Sequence, residues 1–133
     1  MNTPFERYEG PVAKVFLRFS GGSLRLAGSR SADEGVIPER VPIPHEAPDT
    51  MVVRLVNDQD EAMFEAAIPD PLSGRAEVPF GGRGRLKQVE RRPRDVSFSV
   101  VVPRIERARF ELISPALGAE NVVISMEEVL AED

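Results

Sequence analysis

His45 is the single histidine of the chain, and histidine is the side chain whose ordinary pKa lies closest to neutrality. It lies in the segment IPHEAPDT, where Asp49 follows four residues later and would be the carboxylate that orients a catalytic base. No G-x-S-x-G motif supplies a nucleophile, however. A loop histidine packed beside prolines is therefore the favoured interpretation, and we expect no catalytic residues and no enzyme activity.

Acidic and amide side chains are densest in the segment Asn57-Asp58-Gln59-Asp60-Glu61. It resembles the start of a D-x-[DN] calcium loop but lacks the glycine and the distant glutamate of that motif. Asp and Asn also favour turns, because their side chains bond to the nearby backbone. We favour a hairpin turn, with weak calcium binding as the alternative. The chain has no cysteine, so a thiolate site is excluded, and we expect no metal and no cofactor.

Positive charge is concentrated between residues 75 and 109, which contain ten Arg or Lys and four acidic residues in a chain of net charge −5. Its centre is Gly81-Gly82-Arg83-Gly84-Arg85, followed by Arg91-Arg92-Pro93-Arg94. Arginine forks bind carboxylates and phosphates in pairs of hydrogen bonds, and glycine allows a close backbone approach. The candidate partner-binding residues are Arg83, Arg85, Lys87, Arg91, Arg92 and Arg94.

Three interpretations of this arginine-rich segment stay open. The arginines protect a sheet edge from aggregation, or bind a protein partner, or bind phosphates of a nucleic acid. The single GGRGR resembles one copy of an RGG box, but the aromatic residues of the segment are only Phe80 and Phe98, and the pI is about 5.0. Self-assembly is a further alternative, in which the segment meets the acidic residues of another copy, which are Glu127, Glu128, Glu132 and Asp133. The proline-rich segment 36–48 is a second candidate contact region.

Short stretches in which apolar and polar residues alternate predict β-strands, because successive side chains of a strand point to opposite faces. The predicted strands are 12–19, 23–27, 50–56, 62–68, 75–80, 85–92, 95–102, 108–112 and 121–126. Gly21-Gly22 is expected to form a turn, and 28–48 a loop that contains a short edge strand at Val41 and Ile43. The segment 95–115 is expected to fold back on itself as a hairpin. The final EEVLAED is either one helical turn or a frayed acidic tail.

This pattern predicts an all-β fold, an antiparallel β-sandwich of about seven to nine short strands. The segments TMVVRLVNDQDEAMFEAAIP and SFSVVVPRIERARFELIS resemble strand pairs of immunoglobulin-like or fibronectin-like sandwiches, and the resemblance spans residues 50–126. The Cys–Trp–Cys core of antibody domains is missing, and Tyr8 lies in the wrong place for a tyrosine corner. The resemblance therefore implies an architecture and no functional residues.

We expect a flexible lead-in at 1–10, a single sandwich domain at 11–126 and an acidic tail at 127–133. The start MNTPFERYEG has no signal-peptide pattern, and no apolar run is long enough to cross a membrane, so we expect a cytoplasmic protein. The predicted function is that of a non-catalytic protein-binding β-sandwich, an accessory, adaptor or structural subunit of a larger bacterial or phage assembly. The alternative is a nucleic-acid-associated protein that uses residues 75–109. No small-molecule substrate is inferred.

Overall fold

The computed structural model describes residues 4–42, 49–71, 75–80, 85–90, 95–114 and 122–131, with the backbone alone in 75–80 and 85–90. Nine strands and one short helix follow one another along these residues. The strands are β1 (Tyr8–Ser20), β2 (Ser23–Ile37), β3 (Thr50–Val56), β4 (Ala62–Pro69), β5 (Arg75–Phe80), β6 (Arg85–Glu90), β7 (Asp95–Pro103), β8 (Arg109–Ile113) and β9 (Val122–Ser125), and the helix is α1 (Met126–Ala131).

All strand pairs are antiparallel and form three sheets. One sheet has three strands in the order β2-β1-β7, and a second has four in the order β4-β3-β8-β9. The hairpin of β5 and β6 forms a two-stranded sheet of its own. The prediction of an all-β antiparallel fold is confirmed.

A single hydrophobic core contains the inward-facing side chains of both larger sheets. The three-stranded sheet contributes Ala13, Val15, Leu17, Ile37, Val100 and Val102, and the four-stranded sheet contributes Met51, Val53, Leu55, Phe64, Phe110 and Leu112. Each set follows the two-residue period expected when one face of a strand is buried. The alternation of buried apolar side chains predicted for β1, β3, β7 and β8 is therefore confirmed.

Helix α1 closes one end of this core. Met126 and Val129 are fully buried, and the Ser125 hydroxyl caps the helix by accepting a hydrogen bond from the backbone N–H of Glu128 (3.2 Å). The buried hydroxyl of Ser29 on β2 donates to the carbonyl oxygen of Val129 (2.6 Å). Of the two alternatives for the chain end, the helical turn is the one observed for residues 126–131.

Two predicted connections are wrong. The segment 28–48 is not a loop throughout, because β2 continues to Ile37 and pairs with β1 as far as Tyr8. Glycine and serine between 28 and 37 suggest a loop locally, but the ladder with β1 satisfies their backbone groups. Val41 lies outside any strand, with an exposed fraction of 79%, and Ile43 lies outside the described residues.

The predicted hairpin at 95–115 is also wrong. Strand β7 pairs with β1, whereas β8 pairs with β3 and β9, so the chain crosses from one sheet to the other between Pro103 and Arg109. Alternation indicates which side chains share a face, and two such strands bury their apolar faces equally well side by side or face to face. The prediction of apolar faces was correct, but the alternation did not identify the pairing partner.

The strand order does not establish the immunoglobulin-like arrangement. In immunoglobulin domains the second strand lies inside the order A-B-E-D. Here β2 is an edge strand and β1 occupies the centre of the three-stranded sheet. The sheets of three and four strands agree with the coarser prediction of a sandwich-like all-β protein.

Candidate binding face

The arginine-rich segment lies only partly within the described residues. Arg83, Arg91, Arg92 and Arg94 lie outside the described residues. Arg85 and Lys87 belong to β6, where their backbones are in register with Phe80 and Val78 of β5. His45 also lies outside the described residues, so its proposed relation to Asp49 is untested.

The acidic segment 57–61 forms the hairpin turn between β3 and β4, as predicted. The side-chain oxygen of Asn57 accepts hydrogen bonds from the backbone N–H groups of Gln59 and Glu61, both at 2.9 Å. Asp60 has a positive φ of 60°, and its carboxylate binds Arg109 of β8. This bond raises the pKa of Arg109 above its ordinary value. Among the described residues, no group of three or more His, Cys, Asp or Glu side chains is placed to hold a metal ion.

Arg40 holds the N-terminal segment against β4 and has little capacity left for a ligand. Its guanidinium donates to the carbonyl oxygens of Glu65 (2.9 Å), Pro4 (2.7 Å), Glu6 (3.2 Å) and Pro38 (3.1 Å). It also lies 4.1 Å from the centre of the Phe64 ring. Burial lowers the pKa of Arg40. Four of the five N–H groups are already used, so this arginine stabilises the fold.

A different set of cations lies together on the outer face of the three-stranded sheet. This surface, called the basic face below, consists of Lys14, Phe16 and Arg18 of β1, Arg25, Gly28 and Arg30 of β2, and Ser97, Ser99 and Val101 of β7. All four cations are exposed. None of them forms an ion pair with any residue in the described part of the chain.

The strand register places like charges directly opposite each other twice on the basic face. Lys14 is opposite Arg30, and Arg18 is opposite Arg25. Side chains in such positions are about 5 Å apart at Cβ, and like charges there destabilise a sheet. The two pairs are separated by four residues along β1, or about 13 Å. The four cations therefore form a small rectangle in which both short sides are repulsive.

The middle of this rectangle is shallow and weakly polar. Phe16 is half-buried, with the ammonium group of Lys14 5.5 Å from its ring centre, and it stands opposite Gly28 on one side and Ser99 on the other. Because glycine has no side chain and that of serine is small, little protrudes from the sheet on either side of the ring. A partner can therefore lie flat across the strands while its charged groups reach the cations.

A β-bulge is what brings Arg25 and Arg30 to the same face. The two residues are five positions apart, an odd number, so regular alternation would place them on opposite faces. Between the pairs Leu17↔Leu26 and Phe16↔Gly28, however, Ala27 is an extra residue on β2. The bulge reverses the alternation, which turns Ser29 into the core and Arg30 outward.

Sequence reasoning missed this face because it counted charge in a continuous window. The cations come from β1 and β2, between residues 14 and 30, and they lie outside the arginine-rich segment. The available signal was the alternation within the predicted strands 12–19 and 23–27, which places Lys14, Arg18 and Arg25 away from the apolar positions on either side of the Gly21-Gly22 turn. Aligning the two strands about Gly21-Gly22 would have placed Arg18 opposite Arg25.

Within the described residues, no helix has the length and apolar character needed to cross a membrane. No protein-family model, curated protein or solved structure matches this chain, so the candidate site stands on its own geometry.

Proposed function

We propose that this protein is a non-catalytic binding module, an accessory, adaptor or structural subunit of a larger assembly, that docks an acidic protein segment on the basic face. The observation that carries the proposal is the pair of like-charge contacts, Lys14 with Arg30 and Arg18 with Arg25. A sequence under selection for stability alone gains nothing from them, since like charges in these positions destabilise a sheet. Carboxylates of a partner convert both repulsive contacts into attractive ones.

The shape and charge of the face favour a protein partner over a nucleic acid. Single-strand binders stack successive bases on several aromatic rings, and this face has one, Phe16, which is half-buried beneath Lys14. The chain as a whole has a net charge of −5, which repels a long polyanion more strongly than a short acidic segment. The cytoplasmic location, the immunoglobulin-like arrangement and the bacterial or phage assembly remain predictions from the sequence.

A fluorescein-labelled decaglutamate peptide is a direct probe of the proposal. We expect it to bind at low salt, and we expect the double variant Arg18→Gln/Arg25→Gln to weaken binding by about tenfold. The matched control is Arg7→Gln/Arg107→Gln, which removes the same charge from exposed positions outside the face. Equal losses in both variants would show that only net charge matters and would contradict the assignment of the site.

The same probe compares the basic face with the arginine-rich segment. A triple variant Arg91→Glu/Arg92→Glu/Arg94→Glu tests the residues selected from the sequence. If this variant abolishes binding and Arg18→Gln/Arg25→Gln does not, the segment is the site and the basic face is not. A single-stranded oligothymidylate that binds more tightly than decaglutamate, with affinity falling log-linearly with salt, would favour the nucleic-acid alternative.

A further inference from the structure

The two larger sheets have four edges, and three of them are protected against pairing with another strand. Strand β2 carries charged residues along its length, among them Arg25, Arg30 and Asp33, and has two register shifts. Strand β9 has only four residues and continues directly into α1. Charges, bulges and short length are the usual devices that keep sheet edges from pairing.

The edge at β4 is protected because the N-terminal segment and Arg40 cover it. The backbone N–H of Glu65 donates to the carbonyl oxygen of Pro4 (3.1 Å), so the N-terminal segment lies along this strand. The guanidinium of Arg40 fixes the arrangement by bonding to the carbonyl oxygens of both Glu65 and Pro4. A further strand cannot reach β4 at this point without displacing these contacts.

Within the described part of the chain, strand β7 has none of these devices. It pairs with β1 over its whole length, from Val12↔Pro103 to Ser20↔Asp95, and with no other strand of the described chain. The residues from 96 to 102 read VSFSVVV, with no charge, glycine or proline. The side chain of Val101 is 46% exposed. A long, uncharged edge rich in β-branched residues is a template for pairing.

We propose that β7 is a dimerisation edge, at which it pairs antiparallel with β7 of a second copy about a two-fold axis at Ser99. In this register Ser99 meets its own counterpart, Ser97 meets Val101 of the other copy, and Asp95 meets Pro103. Opposite residues of an antiparallel pair point to the same face, so the apolar positions of both copies stay on the core side. The contact is isologous and closes on itself, which limits the assembly to two chains.

Charge complementarity favours a second copy as the occupant. The one charged residue of β7 is Asp95, at one end of the strand, and Arg104 follows the other end. Antiparallel pairing about Ser99 brings these opposite charges together at both ends of the interface. Arg104 is half-buried, and its buried Nε has no hydrogen-bond partner among the described residues.

Pairing at β7 would also extend the basic face. The three-stranded sheets of two copies would join into one sheet of six strands, with Arg18 of one copy in the same row as Lys14 of the other. Three strand spacings separate those two residues, or about 14 Å, which exceeds the Debye length of about 8 Å at physiological salt. Repulsion between the two faces is therefore largely screened.

Cysteine crosslinking tests the register, because the natural chain contains no cysteine. We expect Ser99→Cys to form an intermolecular disulfide on mild oxidation, since directly opposed residues lie within the Cα separation that a disulfide spans. The matched control is Ser97→Cys, on the same face of the same strand. Its two copies would lie about 13 Å apart and should not crosslink. Equal crosslinking of both variants, or none, overturns the register.

Sedimentation velocity over a concentration series tests the dimer itself. The wild type should show twice the mass of one chain, and Ser97→Lys/Val101→Lys should be monomeric with an unchanged circular dichroism spectrum. Mixing this variant with Ser97→Glu/Val101→Glu should restore a heterodimer, because each introduced ammonium group then faces a carboxylate of the other chain. The control is Ala32→Lys at an exposed position of β2, which should leave the dimer intact. A wild type that stays monomeric overturns the proposal, whatever the result with decaglutamate.

Discussion

The outer faces of the two larger sheets differ in how their charged residues are paired across neighbouring strands. On the four-stranded sheet, Arg54 of the central strand β3 is in register with Glu65 on one side and Glu111 on the other. On the three-stranded sheet, Lys14 and Arg18 of the central strand β1 each face another cation on β2. The first arrangement favours folding, and the second opposes it. The difference supports our proposal that the second face serves binding, whereas the first face serves stability.

The exposure of the side chains on the two outer faces differs in the same way as their charge pairing. Val52 and Val56 lie on the outer face of β3 and are still buried, with exposed fractions of 1% and 2%. Arg54 between them is only half-exposed, and its Nε is buried without a hydrogen-bond partner among the described residues. The cations of the basic face are all exposed. The uncompensated charges are therefore the ones that a partner can reach.

Insertion of one alanine after Ala27 should have the largest effect on this contrast, because the number of residues between Leu26 and Gly28 determines the face on which Arg30 lies. With a second extra residue, every later position of β2 is displaced by one, so Arg30 turns toward the core and Ser29 outward. This displacement buries a charge. We expect a loss of several kcal/mol in the free energy of unfolding, of the order that a buried unpaired charge costs, about 3 kcal/mol or more.

Urea denaturation monitored by circular dichroism measures this loss. The variant Ala27→Ser keeps the extra residue and is the control, with an expected change within about 0.5 kcal/mol. An insertion variant as stable as the wild type would mean that the number of residues at the bulge does not determine the face of Arg30.

Arg54→Glu should have the next largest effect. It places a third carboxylate in register between Glu65 and Glu111, on a face that is largely buried. We expect the free energy of unfolding to fall by about 2 kcal/mol, because like charges in direct register repel and the new group is poorly hydrated. Thermal and urea denaturation measure it, with Arg54→Met as the control that removes charge without adding any.

Arg18→Glu should change the free energy of unfolding in the opposite direction and stabilise the protein. It converts the repulsive contact with Arg25 into an attractive one at an exposed site. We expect a gain of about 0.5 kcal/mol in the free energy of unfolding, together with weaker binding of decaglutamate. Arg18→Gln, which only removes the repulsion, should gain less. A loss of stability in Arg18→Glu would mean that the cations of the basic face do not repel one another.

The smallest expected effect is the dependence of that gain on salt. At 1 M ionic strength the Debye length falls to about 3 Å, so both the repulsion in the wild type and the attraction in the variant are screened. We expect the stability difference between Arg18→Glu and the wild type to approach zero as NaCl is raised. Arg107→Glu, at an exposed position outside the face, is the control. A difference that salt leaves unchanged would point to a conformational cause.

The sequence predicted individual strands better than their partners. The turn at Gly21-Gly22, where both residues have positive φ (60° and 82°), follows from the freedom of glycine and was expected at that place. The turn at Asn57 also followed from local chemistry. The crossing between Pro103 and Arg109 did not, because alternation is the same whether two strands lie side by side or face to face.

The site shows the same limit. Outward positions for Lys14, Arg18 and Arg25 follow from alternation within each strand. The outward position of Arg30 does not, because one extra residue at Ala27 reverses the pattern, and nothing local marks that residue. The predicted site at Arg83, Arg85, Lys87, Arg91, Arg92 and Arg94 remains a prediction, since the described side chains do not include them.

The sequence by itself determined which side chains of each strand avoid water, because apolar burial is the dominant force and a strand has a period of two. Only the tertiary structure decided which strands are neighbours and in what register. Register depends on the whole ladder, and one bulge on β2 was enough to set Arg30 opposite Lys14. Charges distant in the sequence become neighbours only through that ladder.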